Sequence, residues 1–209
     1  MTASSAEDRL IEPRIDDKTH NYAVNVVPRL PSEYPHQAGL TCGEYNVRAV
    51  LDSLGIPYRT ETRPRFRVRA LGLSFVTDLQ RALTRHGVNA EVRHATDLHD
   101  ESRLALLRGH IDSHEPVVLA IGNGHLSRVR DSAIARTLVG HFITIYGYDA
   151  GRHVFFVYDP YLKGEPPHSL PAGNVERTSE EILRDWKGPF YYRFIGMDHV
   201  YLPVSAPTD

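Results

Sequence analysis

The chain has 209 residues, 41% of them hydrophobic and 24% charged, and its 24 Lys and Arg against 26 Asp and Glu leave a formal charge of −2. That length accommodates one complete hydrophobic core, and the balanced, scattered charge excludes the one-sided basic face that nucleic-acid binding requires. No run approaches the ~20 apolar residues of a membrane span, and the acidic N-terminus lacks the apolar stretch of a signal peptide, so no membrane contact and a cytoplasmic location are expected unless a dedicated secretion system exports the protein.

Residues 1–20 are polar and charged and are expected to form a disordered N-terminal extension, leaving residues 21–205 as a single domain. Asn21–Pro35 combines a short apolar run with prolines and reads as a strand followed by an extended approach. Gln37-Ala-Gly-Leu-Thr-Cys42-Gly43 leads into a helix whose stripe is Val47, Val50, Leu51 and Leu54 and whose stop is Gly55. Cys42 therefore stands at that helix's N-terminus. The run Arg63–Arg69 alternates Arg with Pro, Phe and Val and reads as an edge strand or loop with a solvated face.

A second helix is predicted at about 74–86, with Ser74 as its cap, Phe75, Leu79 and Leu83 as its stripe and Gly87 as its end. Asn89–His94 reads as a short strand, about 99–110 as a third helix, and Pro116–Gly122 as a buried strand. Residues 123–139 read as irregular with a short helix. His141–Tyr148 and His153–Tyr158 flank Asp149-Ala-Gly-Arg152 and predict an antiparallel hairpin. Thr178-Ser-Glu-Glu181 is a capping box opening a helix through Trp186, and Phe190–Ile195 and His199–Leu202 are expected as closing strands. Helices followed by a mostly antiparallel sheet make an α+β arrangement.

The lone cysteine excludes an internal disulfide and a Cys-rich zinc site. It is either a small buried hydrophobe or a reactive thiol, and its context favours the second. A helix N-terminus favours thiolate through unpaired N–H groups and the positive end of the dipole. A thiol nucleophile also needs a base and a group that orients the base. His141 opens one strand of the predicted hairpin and Asp159 closes the other, 18 residues on, so the two side chains are expected side by side. Gly43 is expected to let a substrate backbone approach. Of the other histidines, His110 and His114 stand four apart beside Asp112 and Glu115, but the expected helix end and Pro116 spoil a metal-binding geometry, so no metal and no cofactor are expected.

Cys-Gly at a helix start, Gly140-His-Phe heading a hairpin that continues to Gly147-Tyr-Asp149, and Tyr158-Asp-Pro160 at its far end resemble the C39-like cysteine peptidases of the papain-like superfamily. The resemblance covers roughly residues 30–190. It implies a papain-like fold, a peptide or peptide-like substrate, Cys42 as nucleophile, His141 as general base and Asp159 as its orienter. It further implies that Gln37 donates its side-chain amide to an oxyanion hole beside the Cys42 N–H. Four residues separate Gln37 from Cys42, one fewer than the family pattern, and His36 occupies the usual position. Glu44 replaces the commoner proline after Cys-Gly and would oppose thiolate formation if close to the sulfur. Exporter-type ATP-binding and membrane domains are not in this sequence, so a leader-processing exporter is not expected. Phytochelatin synthases, which pass the acyl group to an amine, are similar in His-Phe, the His–Asp spacing and Pro166-Pro167-His168. Hydrolysis through a Cys42 thioester is the expected reaction, an amide-forming acyltransferase the alternative. A papain-like binding module without catalysis is the alternative from a different class.

Overall fold

A computed structural model of the protein describes residues 24–59, 74–124, 132–164 and 169–207. The expected disordered extension, the Arg63–Arg69 run and Pro166–His168 lie outside the described residues. Among the described residues the elements are β1 (Val24–Val26), α1 (Cys42–Ser53), α2 (Val76–Arg85), β2 (Asn89–Ala90), β3 (Arg93–His94), α3 (Asp100–Asp112) and β4 (Val117–Gly122). They continue with α4 (Ala133–Leu138), β5 (Gly140–Asp149), β6 (Val154–Tyr158), β7 (Val175–Thr178), α5 (Ser179–Trp186) and β8 (Val200–Ser205).

The strands form one sheet in the order β2-β8-β4-β5-β6-β7, with β1 beside the far half of β5 and β3 beside β8. Every described pairing is antiparallel. The architecture is thus α+β, with the papain-like division into a helical part and an antiparallel sheet.

Alternation along the strands sends successive side chains to opposite faces, and each face has its own helices. Val117, Leu119, Ile121, Ile143 and Ile145 bury themselves with Leu104, Leu107 and Ile111 of α3 and Ile182 and Trp186 of α5. Val118, Ala120, Phe142, Val200 and Leu202 bury themselves with Val47, Val50 and Leu51 of α1 and Leu79 and Leu83 of α2. Burying one such Leu, Ile or Val side chain is worth about 1.5–3 kcal/mol, so α1 and β5 are fixed to each other chiefly by this second layer.

Glycines at positive φ stop the first two helices as expected, Gly55 at +71° after α1 and Gly87 at +82° after α2. The start of α2 differs from expectation. Its cap residue is Phe75 rather than Ser74, and the backbone N–H of Phe75 donates to the Asp78 carboxylate one turn on. The Thr178–Glu181 capping box forms in full at the start of α5. In the hairpin, Asp149 accepts the Arg152 N–H and closes the turn, and one extra residue between Ile145 and Gly147 bulges β5 against β6.

One predicted strand is not a strand. Residues 190–195 form turns and a 3-10 helix at Tyr192–Phe194. Gly188 at φ +69° folds the chain back, and the Tyr192 ring occupies the space that a side chain at Gly188 would need. The N–H groups of Tyr192, Phe194 and Ile195 find carbonyls three residues back instead of a neighbouring strand. The alternating aromatic pattern of this segment imitated a strand because periodicity does not report where the hydrogen bonds go.

Candidate active site

α1 begins at Cys42 itself. Thr41 is the cap residue, but its hydroxyl donates to the Ala38 carbonyl instead of capping the helix. The first-turn N–H groups are therefore not consumed by a capping side chain. Cys42 is half-buried, and the backbone N–H groups of Gly43 and Phe142 favour its thiolate. Asn46, one turn further along, donates to the Cys42 and Phe142 carbonyls at 2.8 Å each and accepts the Thr144 hydroxyl at 2.6 Å. This fully buried amide ties the cysteine's helix to the histidine's strand, and a displacement of either element would break the two hydrogen bonds that cross between them.

His141 is buried at the start of β5, opposite Ile121 of β4. Its Nε2 lies 2.8 Å from Oδ1 of Asp159, which is fully buried just beyond β6. An ionised carboxylate can only accept, so Nε2 carries the proton in this bond and Nδ1 is left to face the sulfur. Cys42 and His141 share the lining of one cavity, and each shifts the proton affinity of the other. The structure thus sets His141 against Asp159 and on the same cavity lining as Cys42, with Tyr161 edge-on to the imidazole at 6.1 Å between ring centroids.

Asp159 is held from all sides. Its Oδ1 also accepts the Tyr161 N–H, and its Oδ2 accepts from Arg177 at 2.6 Å. Asn174 clamps the backbone, accepting the Asp159 N–H and donating to the Asp159 carbonyl. Arg177 in turn reaches Asp185 at 3.0 Å, and Asp185 is paired with Arg136 at 2.6 Å and Arg184 at 3.0 Å. Charges alternate along this buried row, so each one has a counter-charge in contact.

The protonation states follow from these contacts. Burial alone would raise the Asp159 pKa, but the His141 charge and the Arg177 guanidinium overcome it and hold the carboxyl well below the usual range. Burial would lower His141, but the Asp159 and Cys42 charges raise it to about 10. Burial would raise Cys42, and the His141 charge, with the Gly43 and Phe142 N–H groups, brings it below 9.0 instead. A lowered thiol facing a raised imidazole favours a thiolate–imidazolium pair at neutral pH.

Gln37 lies beside these residues. It is buried, its backbone N–H donates to the Pro160 carbonyl, and its Nε2 donates to the Gly39 carbonyl at 2.6 Å, leaving the second Nε2 hydrogen available. His36 points elsewhere, is exposed, and interacts with the Tyr161 carbonyl. Gln37 lines the same cavity as Cys42, and His36 is not among its lining residues. Glu44 is buried and paired with Arg48 one turn along at 2.6 Å. A side chain at Gly43 would press on Leu79 and Ser74, so the glycine also serves the contact between α1 and α2.

A cavity of about 600 Å³ opens over the sulfur. Gln37, Cys42, Asn123, His141 and Tyr161 supply its polar floor, and Leu40, Phe75, Leu138, Val139, Tyr191, Tyr192, Ile195 and Met197 its apolar wall. Tyr191 and Tyr192 thus belong to the cleft, whereas Trp186 is fully buried in the core and donates to the Val200 carbonyl. His110 bonds to Glu115 at 2.7 Å and leans on Tyr201. Sequence reasoning missed Asn46, Asn174, Arg177 and Asp185. The spacing of Arg177 and Asp185, eight residues across the β7–α5 junction, carried no signal of its own.

The helical part, the antiparallel sheet and the cleft between them define the class as a papain-like cysteine peptidase fold. The Peptidase_C39 like family matches residues 70–185, and the chain belongs to that family. His141, Asp159, Arg177 and Asp185 fall inside the matched span, whereas Cys42 and Gln37 precede it. Among solved structures, the chain is similar to a double-glycine-motif protease from an AMS/PCAT transporter in complex with the leader peptide. That likeness has 18% identity and a TM-score of 0.52 over 89% of this chain and 99% of the other. A C39-like peptidase of Bacillus anthracis is more distant, at 13% identity and a TM-score of 0.38 over 63% of this chain and 59% of that one. No curated protein matches the chain.

Proposed function

We propose that this peptidase-family protein cleaves a peptide or peptide-like amide through a Cys42 thioester. The observation that carries the reading is the buried His141–Asp159 hydrogen bond on the same cavity as a half-buried cysteine at a helix N-terminus. The Cys42 thiolate attacks the carbonyl carbon, and the oxyanion that forms takes hydrogen bonds from the Cys42 N–H and the free Nε2 hydrogen of Gln37. The His141 imidazolium gives its Nδ1 proton to the departing amine as the C–N bond breaks. Water then attacks the thioester, His141 accepts its proton, and the acid leaves as the thiol is restored. Asp159 keeps Nε2 protonated throughout and stabilises the imidazolium, while Arg177 keeps Asp159 ionised. The peptide class of substrate is supported by family membership and by the leader peptide bound to the similarly folded transporter protease.

The test is the rate of Cys42 alkylation by iodoacetamide as a function of pH, in the native protein and in His141→Ala. The expected profile rises below pH 9 in the native protein and moves towards an ordinary thiol in the variant. A native profile typical of a free thiol and indifferent to His141 would remove the catalytic reading.

A further inference from the structure

From Pro35 to Leu40 every residue is exposed except Gln37, which is 7% exposed and lines the cavity with Cys42 and His141. A loop open to water on both flanks has little apolar packing to hold one polar side chain inward, so hydrogen bonds must do it. They come from the turn that carries Asp159. The Tyr158 hydroxyl donates to the Pro35 carbonyl at 2.6 Å, the Gln37 N–H donates to the Pro160 carbonyl at 2.7 Å, and His36 Nε2 lies 2.9 Å from the Tyr161 carbonyl. A carbonyl only accepts, so Nε2 of His36 carries a proton in this contact. Three successive residues, 35 to 37, are thus fastened to one turn, residues 158–161. The same turn holds Asp159 against His141, since the Tyr161 N–H donates to Asp159 Oδ1. The far end of the loop is closed locally. Gln37 Nε2 donates to the Gly39 carbonyl at 2.6 Å, and the Thr41 hydroxyl donates to the Ala38 carbonyl at 2.7 Å. Gly39 has a φ of +67° with nothing within 4 Å of where a side chain would stand, so its glycine answers to backbone conformation and not to packing.

We infer that Tyr158 and His36 are positioning residues for the Gln37 amide, so that the turn presenting Asp159 to His141 also sets the oxyanion donor. This rests on the thioester reading above, in which Gln37 serves the oxyanion. A donor is effective when it is already fixed where charge will develop, because a placed dipole needs no reorganisation as the bond forms. The Gln37 N–H bond by itself is a pivot. The contacts of Pro35 and His36 on the same turn fix the direction in which the chain passes that pivot, and with it the side of the loop from which the amide projects. Tyr158 is suited to this, since its ring is fully buried and packs against Tyr34 at 5.4 Å between centroids, which leaves its hydroxyl little freedom.

The experiment applies two small reagents to the full chain. 4-Nitrophenyl acetate is attacked at its carbonyl carbon by the Cys42 thiolate, passes through an oxyanion and releases 4-nitrophenolate as the acetyl thioester forms. Iodoacetamide is attacked at its methylene carbon, iodide leaves and no oxyanion forms. The ratio of the two rates, with Cys42→Ala as the blank, therefore reads the oxyanion site separately from the thiolate. Gln37→Ala is expected to lower the ratio about tenfold or more. Tyr158→Phe, which removes only a hydroxyl, and His36→Ala, at an exposed site, are each expected to lower it about threefold or more, with the iodoacetamide rate within about twofold of native. An unchanged ratio in either variant removes that residue from the role, and a proportional fall in both rates does the same by marking the bond as structural only. Should Tyr158→Phe not fold, His36→Ala decides. An unchanged ratio in Gln37→Ala removes the oxyanion donor and the inference with it. Slow iodoacetamide alkylation insensitive to His141→Ala removes the thioester reading instead, so the two failures are distinguishable.

Discussion

The two sides of the cleft are built on opposite principles. On the β6–β7–α5 side, Asp159, Arg177, Asp185 and Arg136 form a buried row in which each charge touches its opposite. On the β4–β8 side, the wall carries almost no charge and keeps several large apolar side chains partly open to solvent. Desolvated ion pairs contribute little net stability, yet they become costly when one member is lost, so the first side is rigid in protonation and geometry. The second side costs little to rearrange and is suited to meeting a ligand.

The largest expected effect comes from the sulfur where the two sides meet. Cys42→Ala should lower amide cleavage by at least about a thousandfold, because a residue that forms the covalent bond has no substitute.

Next is the charged row. Arg177→Met leaves Asp159 buried against His141 with one counter-charge fewer, and should cost about 3–5 kcal/mol of unfolding free energy by urea denaturation. A cost near zero would mean that the row is not the rigid side. The same row has a pH signature. The Asp159 pKa is lowered by folding, so its contribution is complete above its ordinary value of 3.8 and drains away as the pH falls below that value. The stability difference between the native protein and Asp159→Asn should therefore shrink as the pH is taken below 3.8, and a constant difference would contradict the assignment.

Asn46 joins the two layers beneath the cleft. Asn46→Ala removes the side-chain partner of the Phe142 carbonyl and the Thr144 hydroxyl, with an expected loss of about 1–3 kcal/mol per unsatisfied buried group at most. Its effect on the alkylation rate of Cys42 reports how tightly α1 is held to β5. The smallest effect is expected at the surface: Arg152→Ala removes a two-pronged but solvated pair with Glu176, worth about 0.2–1 kcal/mol. A larger loss there would show that charge is structural outside the row as well.

By itself the sequence determined the parts whose signals are local. Helical spacing after Cys42 with Gly55 as its stop, the hairpin from His141 to Asp159, and the Thr178 capping box are each specified by contacts within a few residues or across one tight turn. Residues 190–195 misled because an aromatic alternation is compatible with both a strand and a chain folded back at Gly188, and only the neighbours select between them. The tertiary structure alone decided that Arg177 and Asp185 stand behind Asp159, that Asn46 spans from helix to strand, and that Gln37 lines the cavity while His36 does not. Those relations join segments far apart in the chain, and a hydrogen bond or ion pair between distant residues leaves no periodicity in either partner. The cavity was equally invisible, since it is bounded by α1, the segment before α2, the Leu138–Phe142 stretch and the Tyr191–Met197 turn, which are far apart in the chain and meet only once it is folded.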